Sequence, residues 1–524
     1  MRIEPRQIIR AVVLAALLVV GWAPAVTAQS VDGVNEMLSA WQMDDAKQAI
    51  DAMAKKDASN PNVLYLQARH DFFLGDYEEA VGKLDQAISN GGENPAWVHL
   101  REVVEATGEV TKDYVKHTSP QGHFEIWVPE GKDEVLVPFA GEALDRAYEE
   151  IGDELGYKPA TPIRVEVYPQ TSVLAKVSSL TEDEIRTSGT IALCKYNRLM
   201  ITSPKALLRG YGWVDTLVHE YVHYVINSKT QNRVPIWMHE GLAKYLERRW
   251  RGPDAQRLPP STASLLEKRV KADDLITFEQ MHPSMAKLPS QEDAAVAFAE
   301  VYTVMEYLRE QVGEEAFESL LDAINDGHDA KEAFSRTVGK SFASFERDWL
   351  AYLKTRDMGD APEKPGFDDK LVFKEEEQAE NDLTELDKPQ ARDHMHLGEM
   401  LQARSRFGAA KVQYEKALRL VERTHPVLQT RLAQCLLEDG KSEEALDALE
   451  SVRQTYPGYV QAWIEMGKAS LALGDYEAAR DHLSEAARIN PFDPEIHQNL
   501  AKTYDKLGDK TQADTYRKFA KLVS

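Results

Sequence analysis

Four residues near the middle of the 524-residue sequence concentrate its chemistry: His219, Glu220, His223 and Glu240. The two histidines are four apart, so on an α-helix they share one face and lie one turn from each other. Their ring nitrogens can then meet on a single Zn²⁺, with Glu220 beside the metal to hold a water. The plain alternative is a pair of core histidines satisfied by backbone or water. Glu240 lies in the stretch Pro235-Ile236-Trp237-Met238-His239-Glu240-Gly241-Leu242-Ala243, with sixteen residues between it and His223. A second helix packed antiparallel on the first would bring Glu240 over the histidine pair as a third ligand. Gly241 and Ala243 leave room for close helix approach. His239 adjoins Glu240, but neighbouring helical residues point about 100° apart, so the two should not both reach one ion. Asp215, four residues before His219, is a candidate acceptor to orient that histidine; the competing reading is an exposed acid in a first helical turn.

The elements that must position these groups are legible in the apolar pattern. Trp213, Leu217, Val218, Val222, Val225 and Ile226 form the buried side of a helix over 212–227, and a second helix runs from Trp237 to about Trp250. Upstream, His123–Val128 alternates as a strand, Phe139–Ile151 reads as an amphipathic helix, and Ile163–Tyr168 as a second strand. Ile191–Cys194 and Leu199–Thr202 are short strand candidates that can form a hairpin around Lys195, Tyr196, Asn197 and Arg198. Everything beyond about residue 205 reads helical, and strands followed by helices predict an α+β domain over 119–355.

With both helix motifs in place, the segment resembles the gluzincin zinc metallopeptidases, more narrowly the peptidase MA-like group related to the M1 aminopeptidases. The resemblance covers about 120–355 and continues through Tyr307, Leu308, Phe317, Phe334, Gly339, Phe342, Glu346 and Trp349 as packing residues. It implies that His219, His223 and Glu240 bind Zn²⁺, that Glu220 is the general base, and that a later tyrosine, Tyr302 before Tyr307, stabilises the oxyanion. The aminopeptidase branch carries a glycine- and glutamate-bearing motif upstream of the zinc helix, whereas Ser188-Gly189-Thr190-Ile191-Ala192 has no glutamate. Endopeptidase action is therefore expected, on a peptide or protein substrate laid along strand 191–194 or 199–202. The rival is a repeat-based adaptor whose middle domain is an inactive, metal-binding relative. A purely structural zinc site is disfavoured, because three protein ligands leave a position for water.

Helical repeats are expected on both sides. Gly440, Gly474 and Gly508 are spaced by 34 residues, each in a turn between apolar-periodic helices, and Pro457 and Pro491 punctuate the junctions. This resembles tetratricopeptide repeats over 390–522, with a first unit around Phe407, Ala410 and Ala417, and implies a concave face for a protein partner. Leu66, Ala68, Gly75, Tyr77, Ala80 and Ala87 match one such repeat within an N-terminal helical segment over 34–116. Pro362, Pro365, Pro389 and the run Glu375-Glu376-Glu377 mark 356–389 as an acidic linker.

The architecture so predicted is multidomain: a central α+β gluzincin-like metallopeptidase domain between N- and C-terminal all-α tetratricopeptide repeat segments. The formal charge of −24 argues against a nucleic-acid partner, because no basic cluster offers a surface for phosphates. Only Cys194 and Cys435 occur, too few for a disulfide framework, and both are expected to be free. Arg2, Arg6 and Arg10 precede an apolar run from Ala11 to Val20, and Val26 and Ala28 fit a signal-peptidase site. A signal peptide over 1–28 and an extracytoplasmic, periplasmic location in a bacterium follow as expectations. The alternative is an uncleaved membrane anchor from Ile8 to Val26.

Overall fold

The computed structural model describes residues 30–178, 180–253, 255–282, 284–285, 288–358, 386, 388–421 and 424–524. The expected signal segment over 1–28 lies outside the described residues, as does most of the expected linker over 356–389. Among the described residues no helix is long and apolar enough to cross a membrane. The chain divides into two units, one up to Glu105 and one from Ala106 onward.

The first unit is helical: α1 (Val31–Ser39), α2 (Met43–Ala54), α3 (Pro61–Leu74), α4 (Tyr77–Gly91) and the start of α5 (Pro95–Thr111). Asn60 caps α3 through the Asn62 N–H at 3.0 Å, and Pro61 opens the helix where no backbone donor is needed. Gly75 ends it in the left-handed region at φ 90, a conformation that costs glycine nothing. Leu66, Ala68, Ala80, Leu84 and Ala87 are fully buried, and the alanines let α3 and α4 approach as a hairpin.

In the second unit a five-stranded sheet has the order β1-β2-β3-β5-β4, with β1 at Tyr114–Thr118, β2 at Phe124–Pro129, β3 at Ile163–Tyr168, β4 at Ala192–Lys195 and β5 at Arg198–Thr202. The β1–β2 and β4–β5 pairs are antiparallel, whereas β2–β3 and β3–β5 are parallel. Parallel neighbours need crossovers, which α6 (Val137–Glu154), α7 (Thr171–Val177) and α8 (Glu182–Ser188) supply. Helices thus interleave with strands in a mixed α/β region, correcting the expectation of strands first and helices after. The expected hairpin is present, and its turn places Tyr196 and Asn197 at φ 55 and 59.

One sheet face, with Phe124, Ile126, Val128, Val165, Val167 and Leu199, is buried. It meets α6 and α9 (Trp213–Thr230), where the Phe124 ring lies 5.3 Å from that of Tyr221. The six apolar residues predicted to line the buried side of α9 are all 0–1 % exposed. Each such side chain contributes about 1.5–3 kcal/mol by leaving water, so the helix that carries both histidines is fixed by the core beneath it. A turn with Gln231 and Asn232 at φ 56 and 60 leads into α10 (Ile236–Leu246), which stops four residues short of the predicted end; Trp250 sits instead in a 3₁₀ turn, Arg249–Arg251.

The remaining helices are α11 (Pro260–Ala272), α12 (Gln291–Val312), α13 (Ala316–Asn325), α14 (Ala330–Val338) and α15 (Phe342–Leu353). Gly241 matters for α12 rather than α9: a Cβ there would lie 3.0 Å from the Val301 carbonyl oxygen and 2.9 Å from Met305. Trp237, Phe278, Phe334, Phe342 and Trp349 interlock as an aromatic cluster that holds α10 against the closing helices.

Beyond residue 388 come four helix pairs: α16 (Pro389–Gln402) with α17 (Phe407–Leu420), α18 (Pro426–Glu438) with α19 (Ser442–Thr455), α20 (Val460–Leu473) with α21 (Tyr476–Ile489), and α22 (Pro494–Leu507) with α23 (Lys510–Val523). The glycines of the 34-residue period, Gly440, Gly474 and Gly508, take φ 73, 79 and 86 in the turns within three of the pairs; Ser405 takes φ 55 in the first. This array is tied to the central region. Arg251 reaches Glu485 at 2.7 Å with Nη1 and Asp215 at 2.8 Å with Nε. The Tyr211 N–H donates to the Ile489 carbonyl at 3.2 Å, and a Cβ on Gly210 would come within 2.5 Å of that oxygen.

Within α12, Glu300 is fully buried and accepts the Ile276 N–H at 2.9 Å, while its second carboxylate oxygen has no hydrogen-bond partner among the described residues. Burial pushes its carboxyl up to about 8, against weaker lowering by the Ile276 N–H and Arg269. A carboxyl raised in this way contributes stability that is complete below its unfolded value and lost as pH rises through about 8. Glu300→Gln keeps the acceptor for Ile276 without the charge. The variant is expected to be ~1–3 kcal/mol more stable than wild type at pH 9, with the gap closing toward pH 5, as read by denaturant unfolding; parallel pH profiles would count against the assignment.

Candidate metal centre

Helical spacing does the first part of the assembly. His219 and His223 project from one face of α9, and the turn after it returns α10 so that Glu240, in its second turn, faces them. One atom from each of the three residues, all partly buried, lies within 4.8 Å of the others. Glu240 Oε2 is 3.2 Å from His219 Nε2 and 3.4 Å from His223 Nε2. Two ligands about 2.1 Å from one tetrahedral ion are about 3.4 Å apart, so the spacing and the nitrogen and oxygen donors fit a divalent metal such as zinc.

The outward ring nitrogens are also held. His219 Nδ1 meets Glu247 Oε2 at 3.2 Å, and Lys244 meets the other oxygen of Glu247 at 2.8 Å. His223 Nδ1 is hydrogen-bonded to His239 Nδ1, whose ring continues through Nε2 to Asn227 Oδ1 at 2.8 Å. His239 is thus outside the three-atom group and backs one of its members. Burial works against charge on His219, yet Glu240 and Glu247 override it and push the imidazole up to about 10. Burial would likewise raise Glu240, but His223 and His219 hold it well below the usual carboxylate range. Glu247 falls to about 2, where Lys244 and His219 outweigh its burial. The pocket therefore favours ionised carboxylates around the imidazoles before any metal is counted.

Glu220 is 7 % exposed and stands beside this group without joining it. Burial raises its carboxyl above the usual range, while His223, His219 and the backbone N–H of Cys194 act in the opposite direction. Cys194 belongs to β4, the strand at the edge of the sheet, so the sheet itself positions Glu220. Of the two strands considered for the edge, β5 is interior, between β3 and β4.

The other sequence candidates are outside the three-atom group, although Tyr302 feels the charge of Glu247. Asp215 does not orient His219; it accepts from Trp250 Nε1 at 2.9 Å and from Arg251 and Arg248. Glu247 occupies the position expected of Asp215, because it is two turns beyond Glu240 on the same face of the returning chain. Tyr302 is 2 % exposed with its ring 5.3 Å from Tyr245, and burial followed by Glu306 raises its hydroxyl well above the ordinary range. Tyr307 packs on Tyr352 at 4.9 Å. Cys194 and Cys435 are both free. The sequence reading missed Glu247, His239 and Asn227 as supporting residues. Helical spacing was the available signal for two of them, since Asn227 follows His223 by four and Glu247 follows Glu240 by seven.

Residues 143–355 match the Peptidase MA superfamily. The tetratricopeptide repeat model matches 436–503 and 470–515. A peptidase-MA-like domain with a His-His-Glu cluster able to hold a divalent metal is therefore followed by tetratricopeptide repeats. A curated relative, the peptidyl-prolyl cis-trans isomerase PASTICCINO1 of Arabidopsis thaliana, is 26 % identical over 107 residues, which is 18 % of this chain and 17 % of that protein. Among solved structures, a thermophilic tetratricopeptide protein of Thermus thermophilus is 26 % identical, with 25 % of this chain and 72 % of that one aligned at a TM-score of 0.24. The tetratricopeptide domain of Sgt2 from Aspergillus fumigatus is 21 % identical, with 24 % and 83 % covered at 0.23.

If Glu247 orients His219, Glu247→Gln should weaken Zn²⁺ binding by about 10–100-fold, as read by competition with a chromogenic chelator, with the circular dichroism unchanged. Unaltered affinity would remove Glu247 from that role.

Proposed function

We propose that this chain is a zinc-dependent peptidase of the gluzincin type, acting as an endopeptidase on peptide or protein substrates. The observation that carries the reading is the meeting of His219 Nε2, His223 Nε2 and Glu240 Oε2 with Glu220 alongside, all on two adjacent helices. A zinc ion held by those three atoms would supply the Lewis acidity to polarise a scissile carbonyl and acidify a water. Glu220 would take the water's proton and hand it to the leaving amine, and burial, which raises its carboxyl, favours its holding that proton in transit. The edge strand β4 gives an extended substrate a backbone to pair with, and its Cys194 N–H keeps Glu220 aimed. The basic and apolar pattern of residues 2–28 supports an extracytoplasmic location.

Purified protein on a diverse peptide mixture tests the reading. Glu220→Gln should lower turnover by more than about 100-fold with the zinc content unchanged, because it removes the proton acceptor and keeps the ligands. Cleavage persisting in that variant would end the base assignment, and zinc-loaded wild type that cleaves nothing would favour the adaptor reading. Tyr302→Phe examines the oxyanion role separately: a fall in kcat at constant zinc content supports it, and full activity excludes it.

A further inference from the structure

The two histidines of the metal centre are backed in different ways. A neutral imidazole has one N–H and one lone pair, and only the nitrogen with the lone pair can ligate a metal. His219 Nδ1 meets a carboxylate oxygen of Glu247, which only accepts; that contact places a proton on Nδ1 and reserves Nε2, the atom near Glu240, for the ion. His223 Nδ1 meets His239 Nδ1 instead, a nitrogen that can donate or accept, with the two ring centroids 4.5 Å apart. The contact by itself permits either direction.

The direction matters to the metal. If His223 Nδ1 donates, its Nε2 presents a lone pair toward Glu240 and an ion between them. If His239 Nδ1 donates, the proton of His223 is on Nε2 and points at Glu240 Oε2, 3.4 Å away, where an ion would have to sit. Asn227 decides between the two. It stands one helical turn after His223 on α9, and its Oδ1 is 2.8 Å from His239 Nε2. A carbonyl oxygen only accepts, so His239 holds its proton on Nε2 and its Nδ1 is the acceptor. His223 Nδ1 then donates, and Nε2 is left for the ion. His239 adjoins Glu240 on α10, so the helix contact that delivers the third ligand also completes this relay.

We propose that Asn227 is a positioning residue of the metal centre, acting through His239 to hold His223 in the tautomer that ligates a divalent cation. The proposal rests on His219, His223 and Glu240 being the ligands, and not on whether the centre cleaves peptides. Asn227 is two hydrogen bonds removed from the ligand atom. A side chain that merely filled space there could be exchanged for leucine without loss of metal; one that sets the direction of the relay could not.

The test measures the Zn²⁺ affinity of the full chain by competition with a chromogenic chelator, with circular dichroism and thermal melting to show that each variant is folded. Asn227→Leu, similar in size but without the acceptor, should bind Zn²⁺ about 10–100-fold more weakly. Asn227→Asp, which can only accept, should bind at least as tightly as wild type. His239→Asn keeps an acceptor against His223 Nδ1 but has no second ring nitrogen to meet Asn227; in that background Asn227→Leu should cost nothing further. Wild-type affinity in Asn227→Leu, or an equal loss in both backgrounds, overturns the proposal. So does a loss in Asn227→Asp as large as that in Asn227→Leu, which would make the effect one of packing. A wild-type chain that binds no Zn²⁺ overturns the ligand assignment and the relay with it. Cleavage is not read, so an inactive centre that still binds zinc leaves the comparison intact.

Discussion

The position of one carboxylate relative to two imidazoles constrains everything around it. Glu240 must come within 3.2 and 3.4 Å of two rings on a different helix, and a helix shift of even one residue would rotate it by about 100° and lose both contacts. The fold fixes this spacing from three directions. The sheet and α6 hold α9 through its buried apolar side; the turn at Gln231 and Asn232 sets where α10 begins; α12 packs on Gly241, where no side chain would fit. Burial then sharpens the electrostatics. With little water nearby, the attraction between Glu240 and the imidazoles exceeds the desolvation that would otherwise neutralise the acid.

Much of this was legible because it follows from spacing within one helix. Histidines four apart, a six-residue apolar stripe under them and a 34-residue glycine period are local patterns, and each corresponds to an element found in place. The strands over Ile163–Tyr168 and around Phe124 were equally open to reading, since alternation is also local. Contacts between elements were not. Asp215 has the right helical phase to support His219, but Arg251 and the Trp250 indole, brought back by the 3₁₀ turn after α10, capture it first. β1 escaped notice because Tyr114–Thr118 alternates weakly and owes its pairing to β2. The first C-terminal helix pair lacks the glycine that announces the others, as Ser405 accepts the left-handed turn in its place.

Asp215 also explains how the C-terminal array and the histidine helix bear on each other. Its carboxylate is one turn ahead of His219, and Arg251 bridges it to Glu485 on α21, which Arg488 also meets at 2.6 Å. These charges are partly buried, so the bridge is screened less than a surface pair and resists a change in any one member. A second link runs through the backbone, from the Tyr211 N–H to the Ile489 carbonyl, two residues before α9 begins.

Both links converge on the N-terminal end of the same helix, and neither touches the ligand atoms. The repeats are therefore not an appendage joined by a linker alone: they clamp the loop and first turn through which the sheet hands the chain to the metal centre. Both contacts bear on the helix at its start, while the core under Val218, Val222 and Val225 keeps the histidines in register.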